Sequence, residues 1–193
     1  VKKVFFIGMN RCATKSFHQL FKKSGYVSHH YSCAWDGRAV ILADQMLENV
    51  NNFYPILHKM DDAHAYSDMF WHRENMWIDG VKFYRELHQE YPDAYFILQT
   101  RNMYDWLLSK KRHKKGAYIE RCKQYWGLND DEMIDWFEKD RDEHHSNVLS
   151  YFKNNDKFLQ YDIEKDSIET FINFLKPDFF LNEKHWGHVG KTL

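Results

Sequence analysis

The sequence predicts an α/β fold, a three-layer sandwich with a mainly parallel central sheet flanked by helices, formed as one domain over residues 1–193. Three observations predict it. Apolar runs such as Val4-Phe5-Phe6-Ile7 and Ala94-Tyr95-Phe96-Ile97-Leu98 lack polar alternation, as strands covered on both faces do. Segments with apolar residues at helical spacing alternate with these runs. The chain is 44% apolar, with 15 Phe, 12 Tyr and 7 Trp, so it can fill one core, and it has no repeat, low-complexity tract or linker.

The first strand, Val4 to Ile7, ends at Gly8, and after a polar stretch Phe17, Leu20 and Phe21 mark a helix that Gly25 closes in a left-handed cap. Tyr26 to Tyr31 reads as a second strand, Arg38 to Asn49 as a helix, and His64 to Ser67 as a third strand ending near Asp68. Asp79 to Tyr91 is expected to be helical up to Pro92. The strand Ala94 to Leu98 follows, then Arg101 and a helix capped by Asn102 that carries Trp106 and Leu107. Asp130 is expected to cap a long helix reaching Asn154, with Met133, Phe137, His144, Val148 and Phe152 on its buried face. Lys157 to Asp162 is the last strand and Ser167 to Leu175 a closing helix.

Charge is segregated although the net value is only -1. Residues 1–35 hold six Lys or Arg and no acid, residues 101–123 hold eight bases, and residues 129–143 hold eight acids. Two separate basic segments suit a compact anion, and the absence of an overall basic surface argues against nucleic acid as partner. No run approaches ~18 uncharged apolar residues, so no membrane span is expected, and no signal peptide is visible. Cys12, Cys33 and Cys122 lack paired metal-ligand spacing. They point to a reducing, cytoplasmic compartment, with one disulfide and one free thiol as the alternative.

In such folds ligands sit beyond the carboxyl ends of the strands. The loop Gly8-Met9-Asn10-Arg11-Cys12-Ala13-Thr14-Lys15-Ser16 lies there, at a helix start whose free N–H groups and positive dipole end suit a phosphate. It is not a Walker A loop, because Ala13 holds the Gly position and Lys15 comes one residue late. Leu98-Gln99-Thr100-Arg101 brings an Arg to the end of a second strand, with Ser109 about two turns into the next helix. Together they could grip one phosphate.

On these residues the chain resembles the sulfotransferases that use 3′-phosphoadenosine 5′-phosphosulfate. Gly8 to Phe17 is similar to that family's loop for the 5′-phosphosulfate, with Arg11 on the basic position and Thr14 on the phosphate-binding hydroxyl. Asn10 replaces the usual Pro and Ala13 the usual Gly. Arg101-Asn102-Met103-Tyr104-Asp105 through Ser109 resembles the 3′-phosphate segment. The likeness continues through Tyr66-Ser67-Asp68, Leu159-Gln160-Tyr161-Asp162 and His188-Val189-Gly190-Lys191.

The resemblance implies a fold of the P-loop nucleotide-binding type. It implies transfer of a sulfuryl group to a hydroxyl or amine without a metal ion, leaving 3′,5′-bisphosphoadenosine. Arg11, Cys12, Ala13, Thr14, Lys15, Ser16, Arg101, Ser109 and Lys191 would bind the donor. Arg11, assisted by Lys15, would stabilise the departing oxygen, and Asp68 would be the base, with His64, His72, Glu74, His30 and Asp36 as competitors. A degenerate nucleotide kinase or hydrolase, or a noncatalytic nucleotide-binding module, is the alternative.

His144 and His145 do not form a metal pair, because adjacent helical side chains point about 100° apart. The segments Tyr31 to Arg38 and Asp68 to Trp77 carry Tyr31, Trp35, Phe70, Trp71 and Trp77 beside His29, Asp36, Arg73 and Glu74. Apolar walls with hydrogen-bonding groups suit a hydroxylated small molecule or a saccharide as acceptor. The sequence carries no signal of oligomeric state.

Overall fold

The computed structural model describes residues 1–73 and 75–187. Seven strands form one sheet in the order β4-β3-β2-β5-β1-β8-β9. They are β1 (Val4–Phe6), β2 (Ser28–His30), β3 (Ser32–Trp35), β4 (Arg38–Ile41), β5 (Ala65–Ser67), β8 (Tyr95–Thr100) and β9 (Phe158–Asp162). A separate hairpin pairs β6 (Phe70–Arg73) with β7 (Met76–Asp79). The five strands β2, β5, β1, β8 and β9 run parallel, and β3 and β4 extend the edge antiparallel. The helices are α1 (Thr14–Lys23), α2 (Leu42–Asn51), α3 (Tyr84–Glu90), α4 (Met103–Arg112), α5 (Ala117–Trp126), α6 (Asp130–Tyr151) and α7 (Ile168–Phe174).

The three layers follow from the two-residue period of a strand. Val4 and Phe6 point to one face, where they join Phe17, Phe21, Phe171 and Leu175 of α1, α7 and its end. Phe5 and Ile7 point to the other, among Tyr66, Trp106, Phe137, Val148 and Phe152. On β8, Tyr95 and Ile97 divide from Phe96 and Leu98 in the same way. Both faces are therefore covered, and the uninterrupted apolar runs of the sequence express this.

Three expectations need correction. Arg38–Ile41 is strand β4, not the start of a helix, and α2 begins only at Leu42. The cause is the turn at Asp36-Gly37, with φ of 48° and 72°, which folds β3 back on β4 so that Trp35 faces Arg38. Asp79 ends β7, and a short 3-10 turn over Gly80–Phe83 separates it from α3. The cap of α6 is Asn129 rather than Asp130: its side chain accepts from the N–H groups of Asp131 and Glu132, and Glu132 reaches back to Asn129. Other caps stand as expected. Asn102 accepts from Asp105 N–H at 3.3 Å, and Gly25 closes α1 at φ 89°. Helix α5 was not anticipated.

Candidate functional site

The loop from Gly8 to Ala13 connects the end of β1 to α1 at the centre of the parallel sheet. Gly8 sits so close to β8 that a Cβ on it would lie 2.1 Å from the Gln99 carbonyl oxygen. The Gln99 side chain holds both backbone groups of Gly8, accepting from its N–H at 2.9 Å and donating to its carbonyl at 3.1 Å. Trp106 Nε1 donates to the Asn10 carbonyl at 2.8 Å, and His144 bonds the Ile7 carbonyl at 2.7 Å. The loop is thus pinned from β8, α4 and α6.

Arg11 and Ala13 both adopt left-handed backbone, at φ 70° and 57°. Ala13 occupies the conformation that glycine takes at least cost. Helix α1 then starts with no side-chain cap and no acid in its first turn, so its positive end lies at the loop. Thr14 and Ser16 are buried there and Lys15 is exposed. Burial pushes the Cys12 thiol up to about 12, which keeps it protonated and inert.

The second basic segment meets the first. Arg11 Nε donates to Ser109 Oγ at 3.1 Å. Arg101 pairs instead with Glu164, its Nε donating at 3.0 Å, and the other Glu164 oxygen accepts from Asn102 N–H at 2.9 Å. The structure therefore joins Ser109 to Arg11 and Arg101 to an acid from the turn after β9. Burial lowers the Arg11 pKa, Asp68 opposes that shift, and Arg101 adds to it, so the three charges lie within mutual influence.

Arg141, buried on α6, donates to Thr100 Oγ1 at 3.0 Å and to the Arg101 carbonyl at 2.6 Å. It fixes the end of β8. Sequence reasoning missed Gln99, Glu164 and Arg141. Only Arg141 left a signal, as a base inside an acidic segment.

Asp68 follows β5 in left-handed backbone at φ 55°, half-buried. Burial raises its pKa from 3.8 to about 6, against Arg11 as the strongest opposing charge. His30 Nε2 lies 3.8 Å from its carboxylate, and burial with the charge of Lys15 lowers His30 to about 4. Of the competitors, His30 therefore stands beside Asp68. His72 uses both ring nitrogens, bonding Asp79 at 2.7 Å and the Tyr118 hydroxyl at 2.9 Å. His64 precedes β5, at the opposite end of that strand from Asp68. Asp36 is exposed at the tip of the β3–β4 hairpin. Glu74 and Lys191 lie outside the described residues.

The two aromatic segments are hairpins, and they meet at Tyr31 and Trp71, whose rings are 5.9 Å apart. Trp77 turns away, stacking on His72 at 3.6 Å and packing against Trp126 and Trp136. Phe70 is buried and Trp35 is exposed. His29 bonds Asp62 at 2.7 Å.

The three cysteines are free and buried. Among the described residues no group of three His, Cys, Asp or Glu side chains is gathered to hold a metal, and no helix is long and apolar enough to cross a membrane.

Among curated proteins none matches the chain significantly. The model of a protein family described as a sulfotransferase domain matches residues 3–179, which include the loop from Gly8 to Ala13, Asp68, Arg101, Ser109 and the whole sheet. The chain belongs to the sulfotransferase family and has its type of transfer activity.

Proposed function

We propose that the chain moves a sulfuryl group from 3′-phosphoadenosine 5′-phosphosulfate to a hydroxyl, or an amine, of a small-molecule or saccharide acceptor. The observation that carries this reading is the contact of Arg11 with Ser109 at 3.1 Å, beside Arg101. It gathers the two basic segments at the uncapped start of α1, which fits a ligand with two separate phosphate groups.

In this reading the N–H groups of Cys12 and Ala13, with Thr14, Lys15 and Ser16, hold the 5′ end of the donor, and Arg101 and Ser109 hold the 3′-phosphate. Lys191 joins them by resemblance alone. When bound, the donor supplies an activated sulfuryl group. Arg11 offers a fixed cation beside the departing oxygen, where charge grows as the bond breaks, so it favours the transition state over the ground state. Lys15 assists. Asp68 accepts the proton of the acceptor hydroxyl; a carboxylate near pKa 6 is ionised at neutral pH yet more basic than an ordinary one. Arg11 keeps its proton throughout and acts only as a charge. The buried, protonated Cys12 takes no part in proton transfer.

Thermal unfolding tests the donor assignment. 3′,5′-Bisphosphoadenosine should raise Tm more than ATP with Mg²⁺ does. Equal or greater stabilisation by the ATP complex would overturn the reading.

A further inference from the structure

The sheet order places β1 between β8, whose end carries Arg101, and β5 and β2, whose ends carry Asp68 and Tyr31. The phosphate residues of the donor lie toward β8. Arg73 at the end of β6, Lys114 in the turn after α4 and Arg121 on α5 are three cations that the transfer step leaves unused.

We propose that these three residues bind an anionic group of the acceptor, a carboxylate or an existing sulfate ester, so that the acceptor is an acidic saccharide or acidic small molecule. The proposal rests on the sulfuryl-transfer reading above and names its substrate class.

Arg73 is fixed by aromatic groups. Its Nη2 donates to the Tyr31 hydroxyl at 3.2 Å, and its guanidinium carbon lies 4.3 Å from the Trp71 ring centroid. It is exposed, so the fork is oriented and still open to solvent. Arg121 comes from α5, which packs on β6 beside it, and its guanidinium carbon is 5.9 Å from the Tyr118 ring centroid. Its Nε is buried without a hydrogen-bond partner among the described residues. A buried unmet donor of a charged group is costly and marks a place for an acceptor atom.

Lys114 and Lys115 both take left-handed backbone, at φ 52° and 57°, immediately before Gly116 at φ 89°. Two adjacent non-glycine residues in that region are strained, and such strain persists where a side chain must be aimed. The charges weighing most on His113 are all cations, Arg11, Lys114, Arg121 and Lys110, and burial with these charges lowers it to about 4. The charge of Lys114 reaches Asp68, and those of Arg73, Arg121 and Asp68 reach Tyr31, so the three cations share the neighbourhood of Asp68 and Tyr31. A neutral acceptor would leave this charge unmatched. A nucleic acid fits poorly, because eight acids occupy residues 129–143.

The test uses a matched pair, para-nitrophenyl β-D-glucuronide and para-nitrophenyl β-D-glucoside, which differ by a carboxylate in place of a hydroxymethyl group. Affinity is measured by calorimetry with 3′,5′-bisphosphoadenosine bound, and a ring-sulfated glucoside distinguishes sulfate from carboxylate as the preferred anion. The anionic members should bind roughly tenfold or more tightly than the glucoside, the effect of one charge-assisted hydrogen bond. Arg73→Gln, Lys114→Gln and Arg121→Gln should each shrink that ratio, whereas Lys153→Gln, a remote exposed lysine, should keep it. Stabilisation by the bisphosphate should survive in all four variants. An absent preference, whether all the glycosides bind or none does, overturns the proposal while leaving the donor reading intact. Loss of bisphosphate stabilisation in the wild-type chain would instead defeat the donor reading.

Discussion

The side-chain amide of Gln99 forms two hydrogen bonds with the backbone of Gly8, at 2.9 and 3.1 Å, and both residues are buried. This pairing does the work of a sheet ladder two residues beyond the point where β1 stops. It anchors the loop from Gly8 to Ala13 where it leaves the sheet. It also brings the loop against the segment that ends in Arg101.

Gln99→Leu keeps the volume and removes both partners, leaving an N–H and a carbonyl buried and unpaired. The variant should lose about 2–4 kcal/mol of stability in urea unfolding. Its bisphosphate affinity should fall as well, because the loop loses its anchor. An unchanged unfolding midpoint would show that the clamp is energetically idle.

Ala13 sits at φ 57° and ψ 20°. Glycine has no Cβ penalty there, but it costs more entropy on folding, so Ala13→Gly should stabilise the chain by roughly 0.5 kcal/mol. Thermal unfolding would read this as a small rise in Tm, with bisphosphate binding retained or improved. A lower Tm would mean that the left-handed turn is no burden on this loop.

Asp68 has a folded pKa of about 6 against 3.8 for the free side chain. The folded protein therefore holds this proton more tightly than the unfolded chain does. The stabilisation from the protonated form is complete below about pH 3.8 and is lost as pH rises through about 6. Asp68→Asn, which tolerates the left-handed backbone, should be more stable at neutral pH by about 2 kcal/mol. It should also lose roughly a hundredfold or more of its transfer rate. In the parent chain kcat/KM should rise with pH through about 6. A flat profile there, or an active Asn variant, would remove Asp68 as the base.

Arg11 and Arg101 should separate in their kinetics. In the proposed reading Arg101→Ala removes a ground-state phosphate contact, so it should mainly weaken bisphosphate binding. Arg11→Ala should lower single-turnover sulfuryl transfer more than it lowers bisphosphate affinity. Intact transfer in Arg11→Ala would refute its role.

Much of this was legible in sequence because it is local. Val4-Phe5-Phe6-Ile7 announces a strand buried on both faces, since every residue is apolar whichever way it points. The loop to Ser16, the glycine that stops α1 and the asparagine that caps α4 were legible for the same reason: backbone conformation and capping depend on near neighbours. The Asp36-Gly37 turn was just as local and was misread, since the helical spacing after it extended plausibly back to Arg38.

What only the tertiary structure decided is which distant groups share an atom. Nothing in the chain near Gln99 marks it as the partner of Gly8, 91 positions away. The pairing exists because β8 lies beside β1 in the sheet. Likewise Glu164 reaches Arg101 because β9 pairs with β8, and both nitrogens of His72 are filled because α5 brings Tyr118 to one and the β6–β7 hairpin brings Asp79 to the other. Residue types and their periodicity determined which segments become strands and helices and where the loop between β1 and α1 lies. The order of the strands determined which charges meet, because Coulomb energies and hydrogen bonds depend on distance in space and not along the chain.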